Sequence, residues 1–259
     1  MSGCGGGSSS VPNTTTPARS QTFANPLLKQ SAADPWIIRH NGYYLFTFTT
    51  ARDIQIWKSP TLEGIGNARK VTVWRAPVSG PNSRDIWAPE IHFLRGKWYI
   101  YYTATNGPDA NRRLFVLEAK TDDPQGAYLQ KAKLTVPGAG QDQCSLDGDV
   151  FQQGDALYLL WSGRENTSNL TQNIYIAPMS DPWTISGARV AISTPQYDWE
   201  RRGGGRERSA TSPATQRANL CHLLGQRWQH AQLLFGNGVQ PGRRFAERRL
   251  VAKVGDAGF

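Results

Sequence analysis

The chain is 259 residues long, 39% hydrophobic and 10% aromatic, with 29 basic and 20 acidic side chains and a net charge of +9. That length fits one large domain or two small ones, and the apolar fraction suffices for a sizeable core. No apolar run approaches the roughly 20 residues of a membrane span, and Cys4, Cys144 and Cys221 lack any metal-binding spacing such as C-x-x-C.

The chain opens on MSGCGGGSSSVPNTTTPARS, a Gly/Ser/Thr/Pro segment without an apolar stretch. Residues 1–23 are expected to form a disordered leader rather than a signal peptide or an anchor. Three segments then share one pattern: DPWIIRHNGYYLFTFTT from Asp34, APEIHFLRGKWYIYYTA from Ala88, and DGDVFQQGDALYLLWSG from Asp147. Each joins an acidic residue and an apolar strand to a glycine turn and an aromatic strand. The turn glycines, Gly42, Gly96 and Gly154, recur at similar intervals. A further strand-like run follows each hairpin: IQIWKSP at Ile54, LFVLEAKTDDP at Leu114 and NIYIAPMSDP at Asn173. Alternating apolar residues between Gly, Asn and Asp turns mark strands and hairpins. Helical periodicity is nearly absent.

A unit of about four short strands at this period predicts all-β propeller blades. The leading carboxylates would then face a central channel and build a polar pocket. A β-sandwich with surface carboxylates is the plainer alternative, and the repeat period disfavours it.

The pattern ends at YDWERRGGG, and RERSATSPATQRANLCHLLGQ follows without strand alternation. Charge changes at the same place. Residues 1–205 carry 20 basic and 17 acidic groups, whereas residues 206–259 carry nine and three. The basicity therefore belongs to the tail, which has no nucleic-acid-binding motif, so no nucleic-acid partner is expected.

The repeats, together with PQGAY, QNIYIAPMSDPWTISG and TPQYDWER, resemble glycoside hydrolase family 43, and most closely its α-L-arabinofuranosidase branch. The likeness covers roughly residues 24–204. It implies a five-bladed β-propeller, of which three to three and a half blades are recognisable here. It also implies inverting hydrolysis of O-glycosyl bonds at the channel mouth. Inversion needs a base that activates water and an acid that protonates the leaving oxygen, about 6.5–9.5 Å apart. A third carboxylate raises the acid's pKa and orients it.

By motif, Asp34 in ADPW corresponds to the base and Asp147 in SLDGDVF to the pKa-modulating aspartate. Asp149 would share the face of Asp147 if the strand were regular. Trp87 in WAPE resembles the aromatic residue lining the sugar pocket, with Trp36 and Ser162 as further substrate-binding candidates. Glu90 matches a glutamate that is usually structural. The resemblance implies no required cofactor. A channel ion occurs in the family on a late histidine, but neither His222 nor His230 lies in that motif, so no metal ligand is assigned.

The family's acid belongs to a stretch of the type N-E-G/A-P-Q, expected just after YDWERRGGG. It is missing. Back-translated from Arg206 and read one nucleotide later, RERSATSPATQR permits V-N-E-A-P-Q-V-L-Q-R-N-G. The glutamate would be encoded across Arg208 and Ser209. The chain thus divides into a leader (1–23), an incomplete propeller (24–205) and an aberrant basic tail (206–259), as expected of a frameshift near Gly205.

The expected function is exo-α-L-arabinofuranosidase action on arabinan or arabinoxylan, impaired by the missing acid. The alternatives are a β-xylosidase of the same family and a non-catalytic carbohydrate-binding pseudoenzyme. Plant cell-wall arabinose- or xylose-containing saccharides are the expected partners of a monomeric chain without membrane attachment. Family likeness implies an extracellular location, and the sequons at Asn13, Asn166 and Asn169 are compatible with secretion.

Overall fold

The computed structural model describes residues 26–138, 142–169 and 171–196. The leader and the tail lie outside them. So do Cys4, Cys221, His222, His230 and the position near Arg208 where the acid is expected.

The described chain is almost entirely β, in three antiparallel sheets that follow one another along the sequence. The first contains β1 (Ala33–His40), β2 (Tyr43–Thr49), β3 (Asp53–Ser59) and β4 (Arg69–Arg75). The second contains β5 (Arg84–Leu94), β6 (Lys97–Thr105), β7 (Arg113–Ala119) and β8 (Tyr128–Lys133). The third contains β9 (Ser145–Gln153), β10 (Ala156–Arg164), β11 (Gln172–Asp181) and β12 (Thr184–Ile185), with β13 (Val190–Ser193) also paired to β11. Apart from β13, strands within each sheet are neighbours in chain order, as sequential hairpins require.

Each sheet opens on a two-residue hairpin. His40 pairs with Tyr43 and Leu94 with Lys97. The residues between, Asn41-Gly42 and Arg95-Gly96, all have positive φ. That is the turn whose twist matches the strands, and it favours Asn and Gly. In the third hairpin Gly154 alone takes the positive angle, so a glycine stands first.

The sheets stack through two large cores. Leu45, Ile54 and Ile56 of the first meet Ile91, Ile100 and Phe115 of the second. Tyr99, Tyr101 and Val116 of the second meet Val150, Leu159 and Trp161 of the third. The middle sheet is therefore covered on both faces, which explains why KWYIYYTAT in β6 is apolar almost without alternation. Every residue of β6 after Lys97 is buried. Alternate side chains enter opposite cores, as the two-residue period of a strand dictates. Smaller clusters lie on the end sheets, around Phe46 and Trp57 in the first and around Leu160 and Ile174 in the third.

A bulge interrupts the first strand of every sheet at an equivalent place. The pairing shifts between Ala33 and Trp36, between Trp87 and Glu90, and opposite Leu160–Ser162. One residue in each has a left-handed backbone: Asp34 (φ 51°), Ala88 (45°) and Asp147 (50°). Bulges re-aim side chains and are common beside functional sites. The next residue is Pro35, Pro89 or Gly148. At Gly148 a Cβ would come within 2.8 Å of Leu114 Cδ1, so a larger residue there would require the Leu114 side chain to shift.

Candidate active site

The three bulges are tied together by hydroxyl groups at the ends of the second strands. Thr49, which pairs with Ala33, donates from Oγ1 to Asp34 Oδ2 at 2.7 Å. The same oxygen accepts the Ala88 backbone N–H at 2.8 Å. Thr103, which pairs with Trp87, accepts the Asp147 backbone N–H at 3.0 Å. Each threonine thus joins its own sheet to the bulge of the next. Leading strands of neighbouring sheets touch, β1 against β5 and β5 against β9. Asp34 and Asp147 occupy matching bulge positions, and both are half-buried.

Ser162 holds the equivalent position in the third sheet, opposite Leu146. It is buried and donates to Gln172 Oε1 at 3.0 Å. Trp36 is half-buried. Its Nε1–H donates to the Ile91 carbonyl at 3.0 Å, and its ring lies 5.2 Å from that of His92.

Trp87 is half-buried, with the Arg112 guanidinium 3.6 Å from its ring centroid. Arg112 is itself buried, pairs with Asp85 at 3.2 Å, and is held by Asp109. An arginine stacked on an indole fixes the ring plane and adds cation–π attraction. Sequence reasoning missed Arg112 because its partners come from separated parts of the second sheet and its loops. No local motif marks it.

The expected regularity of β9 does not hold. Between Leu146 and Asp149 the strand spends three steps against two on β10, so Asp147 and Asp149 are not simple alternates. Asp147 is half-buried, and Asp149 is buried. Asp149 Oδ1 lies 3.5 Å from His92 Nε2, and Glu90 Oε2 lies 3.8 Å from the same nitrogen. Burial lowers the His92 pKa below its ordinary value, and the Asp149 charge offsets part of that. His92 was a second residue missed, since a lone histidine in an apolar strand carries no pattern of its own.

An open cavity of about 660 Å³ sits beside the β10–β11 connection, lined among others by Glu165, Asn173, Tyr175 and Arg189. None of the sequence-predicted site residues lines it. Asn166 and Asn169, the two described sequon asparagines, use their side-chain oxygens to cap this connection, accepting the N–H groups of Ser168 and Thr171 at 2.9 and 3.0 Å.

Comparison with known proteins gives a consistent answer. The family model of glycosyl hydrolases family 43 matches residues 23–210. An extracellular exo-α-(1→5)-L-arabinofuranosidase of Streptomyces chartreusis is 37% identical over 187 residues, 70% of this chain and 56% of that protein. An α-L-arabinofuranosidase of Humicola insolens is 36% identical over 188 residues, 70% of this chain and 38% of that protein. The crystal structure of α-L-arabinofuranosidase from Lactobacillus brevis superposes with a TM-score of 0.63 at 34% identity, covering 69% of this chain and 58% of that one. The chain spans little more than half the length of the first of these relatives. With the repeated bulges and the matched motifs, these likenesses mean that the chain belongs to glycosyl hydrolases family 43.

Proposed function

We propose that this chain derives from an inverting, extracellular exo-α-L-arabinofuranosidase built on a five-bladed β-propeller, with Asp34 as general base. The observation that carries the proposal is the Asp34 carboxylate, re-aimed by a bulge and held by Thr49, in a chain 37% identical to an exo-α-(1→5)-L-arabinofuranosidase. In this reading Asp34 takes a proton from the attacking water. Asp147 keeps the general acid protonated through like-charge repulsion and orients it. Trp87, braced by Arg112, offers its remaining ring surface to the sugar's C–H groups. Three sheets supply the first blades, and the ring needs two more.

The general acid belongs to the region beyond Gly205, where a reading-frame shift has replaced it. Without a proton donor the leaving oxygen departs as an alkoxide, a loss on the order of 10²–10⁴ in rate. The test is to sequence the locus and its transcript, and to assay the encoded chain beside a version with the frame restored after Gly205. Nitrophenyl α-L-arabinofuranoside and β-D-xyloside serve as substrates. The restored version should hydrolyse the arabinofuranoside, and the encoded chain should fall 10²–10⁴-fold below it. Equal activity of the two would end the missing-acid reading, and preference for the xyloside would replace the substrate.

A further inference from the structure

We propose that Glu90, His92 and Asp149 form a divalent-metal site of the zinc type that fastens the second sheet to the third. Glu90 and His92 are two residues apart on β5, past the bulge, so both face the same way. Asp149 comes from β9, the leading strand of the next sheet.

The ligand atoms lie within 4.8 Å of one another. His92 Nε2 is 3.5 Å from Asp149 Oδ1 and 3.8 Å from Glu90 Oε2. Four ligands at zinc-bond length stand about 3.4 Å apart at the edges of a tetrahedron. The two separations from His92 are close to that edge. They are long for a good N–H···O bond, and His92 Nε2 is buried and makes no hydrogen bond.

Burial separates this cluster from an ordinary acidic surface. The Glu90, Asp149 and His92 side chains are 3%, 7% and 11% exposed. Carboxylates withdrawn from water attract a cation more strongly than exposed ones do. One imidazole and two carboxylates are a donor set that suits zinc. Calcium needs six to eight oxygen ligands, more than this site offers. The imidazole is also pre-aimed, packed between the Trp36 ring at 5.2 Å and the Tyr101 ring at 5.5 Å. Such outer packing sets ligand orientation.

The site's role is structural. Bound metal stabilises the folded state by mass action and locks β5 to β9 just past the bulges that carry Ala88 and Asp147.

The test uses the full encoded chain, stripped with EDTA and titrated with Co2+, then with Zn2+. One equivalent of Co2+ should give a tetrahedral visible band that Zn2+ displaces, and Zn2+ should raise the melting temperature. His92→Gln and the near-isosteric Asp149→Asn should each weaken binding by roughly 10–100-fold or more. Cys221, His222 and His230 in the tail are competing donors, so the band should persist in His222→Gln. No band in the wild-type chain overturns the site, as does an unchanged band in folded Asp149→Asn.

Discussion

Thr49 has a single hydroxyl that does two jobs. Its proton goes to Asp34, and its lone pair receives the Ala88 N–H of the next sheet. Thr103 does the second job, for Asp147. A Thr49→Val change keeps shape and removes both bonds. A partly buried N–H and a carboxylate then lose their partner, at a cost of about 1–3 kcal/mol. Thr49→Ser should restore most of the loss. Urea unfolding of the two variants measures this, and equal midpoints for Thr49→Val and wild type would contradict it. Contiguous motifs singled out Asp34 and Asp147 in the sequence, and the fold sets both at matching bulges. The site was not legible where chemistry comes from distance. Trp87 could be picked out from WAPE, but its Arg112 brace could not. The burial of Asp149 hung on a bulge that breaks the two-residue alternation, and nothing in SLDGDVF marks an extra step.

Legibility of the strands follows burial in the same way. The first three strands of each sheet pack against a core, so their apolar residues alternate or run together. The fourth strand is an outer edge. In β8 only Tyr128 is buried, and the remaining YLQKAK residues are mostly exposed. A strand bathed in water keeps no apolar signature, which is why β8 was not foreseen. Its attachment is partly ionic. Glu118 on β7 receives Lys97 of β6 at 3.0 Å and Lys131 of β8 at 2.9 Å. Burial pushes the Glu118 pKa up, but the two lysines together overcome that and hold it below its ordinary value. A carboxyl whose pKa is lower in the folded state than in the unfolded one adds stability above the unfolded pKa. That contribution fades as pH falls through the folded pKa. Glu118→Gln should therefore lower the melting temperature modestly at neutral pH, as half-exposed ion pairs do. The gap to wild type should close under acid, below the ordinary glutamate range. A gap that stays constant from neutral pH into strong acid would show that the lysines contribute nothing through charge.

Among the described residues, packing is deepest in the middle sheet and thins toward the first and third. The two inter-sheet cores are built from 15 and 13 buried residues, whereas the end clusters hold four and two. On the third sheet the end cluster rests on Phe151, Ile176 and Ile192, each only half-buried among the described residues. Ser162 sits there in the place where Thr49 and Thr103 receive the bulge of a following sheet. A further sheet packed on the third would both cover that apolar face and offer Ser162 an N–H. Stability within one protein is not uniform, and elements with few buried contacts open first. Hydrogen exchange in the encoded chain should therefore be slowest in β5–β7 and fastest in β13, which has no buried residue. Restoring the reading frame after Gly205 should slow exchange in β10, β11 and β13 by at least tenfold and leave β6 nearly unchanged. Tenfold corresponds to about 1.4 kcal/mol of local opening free energy, a modest return for burying one face of a sheet. Uniform protection across all three sheets in the encoded chain would mean that the third is already complete, and the need for further blades would disappear with it.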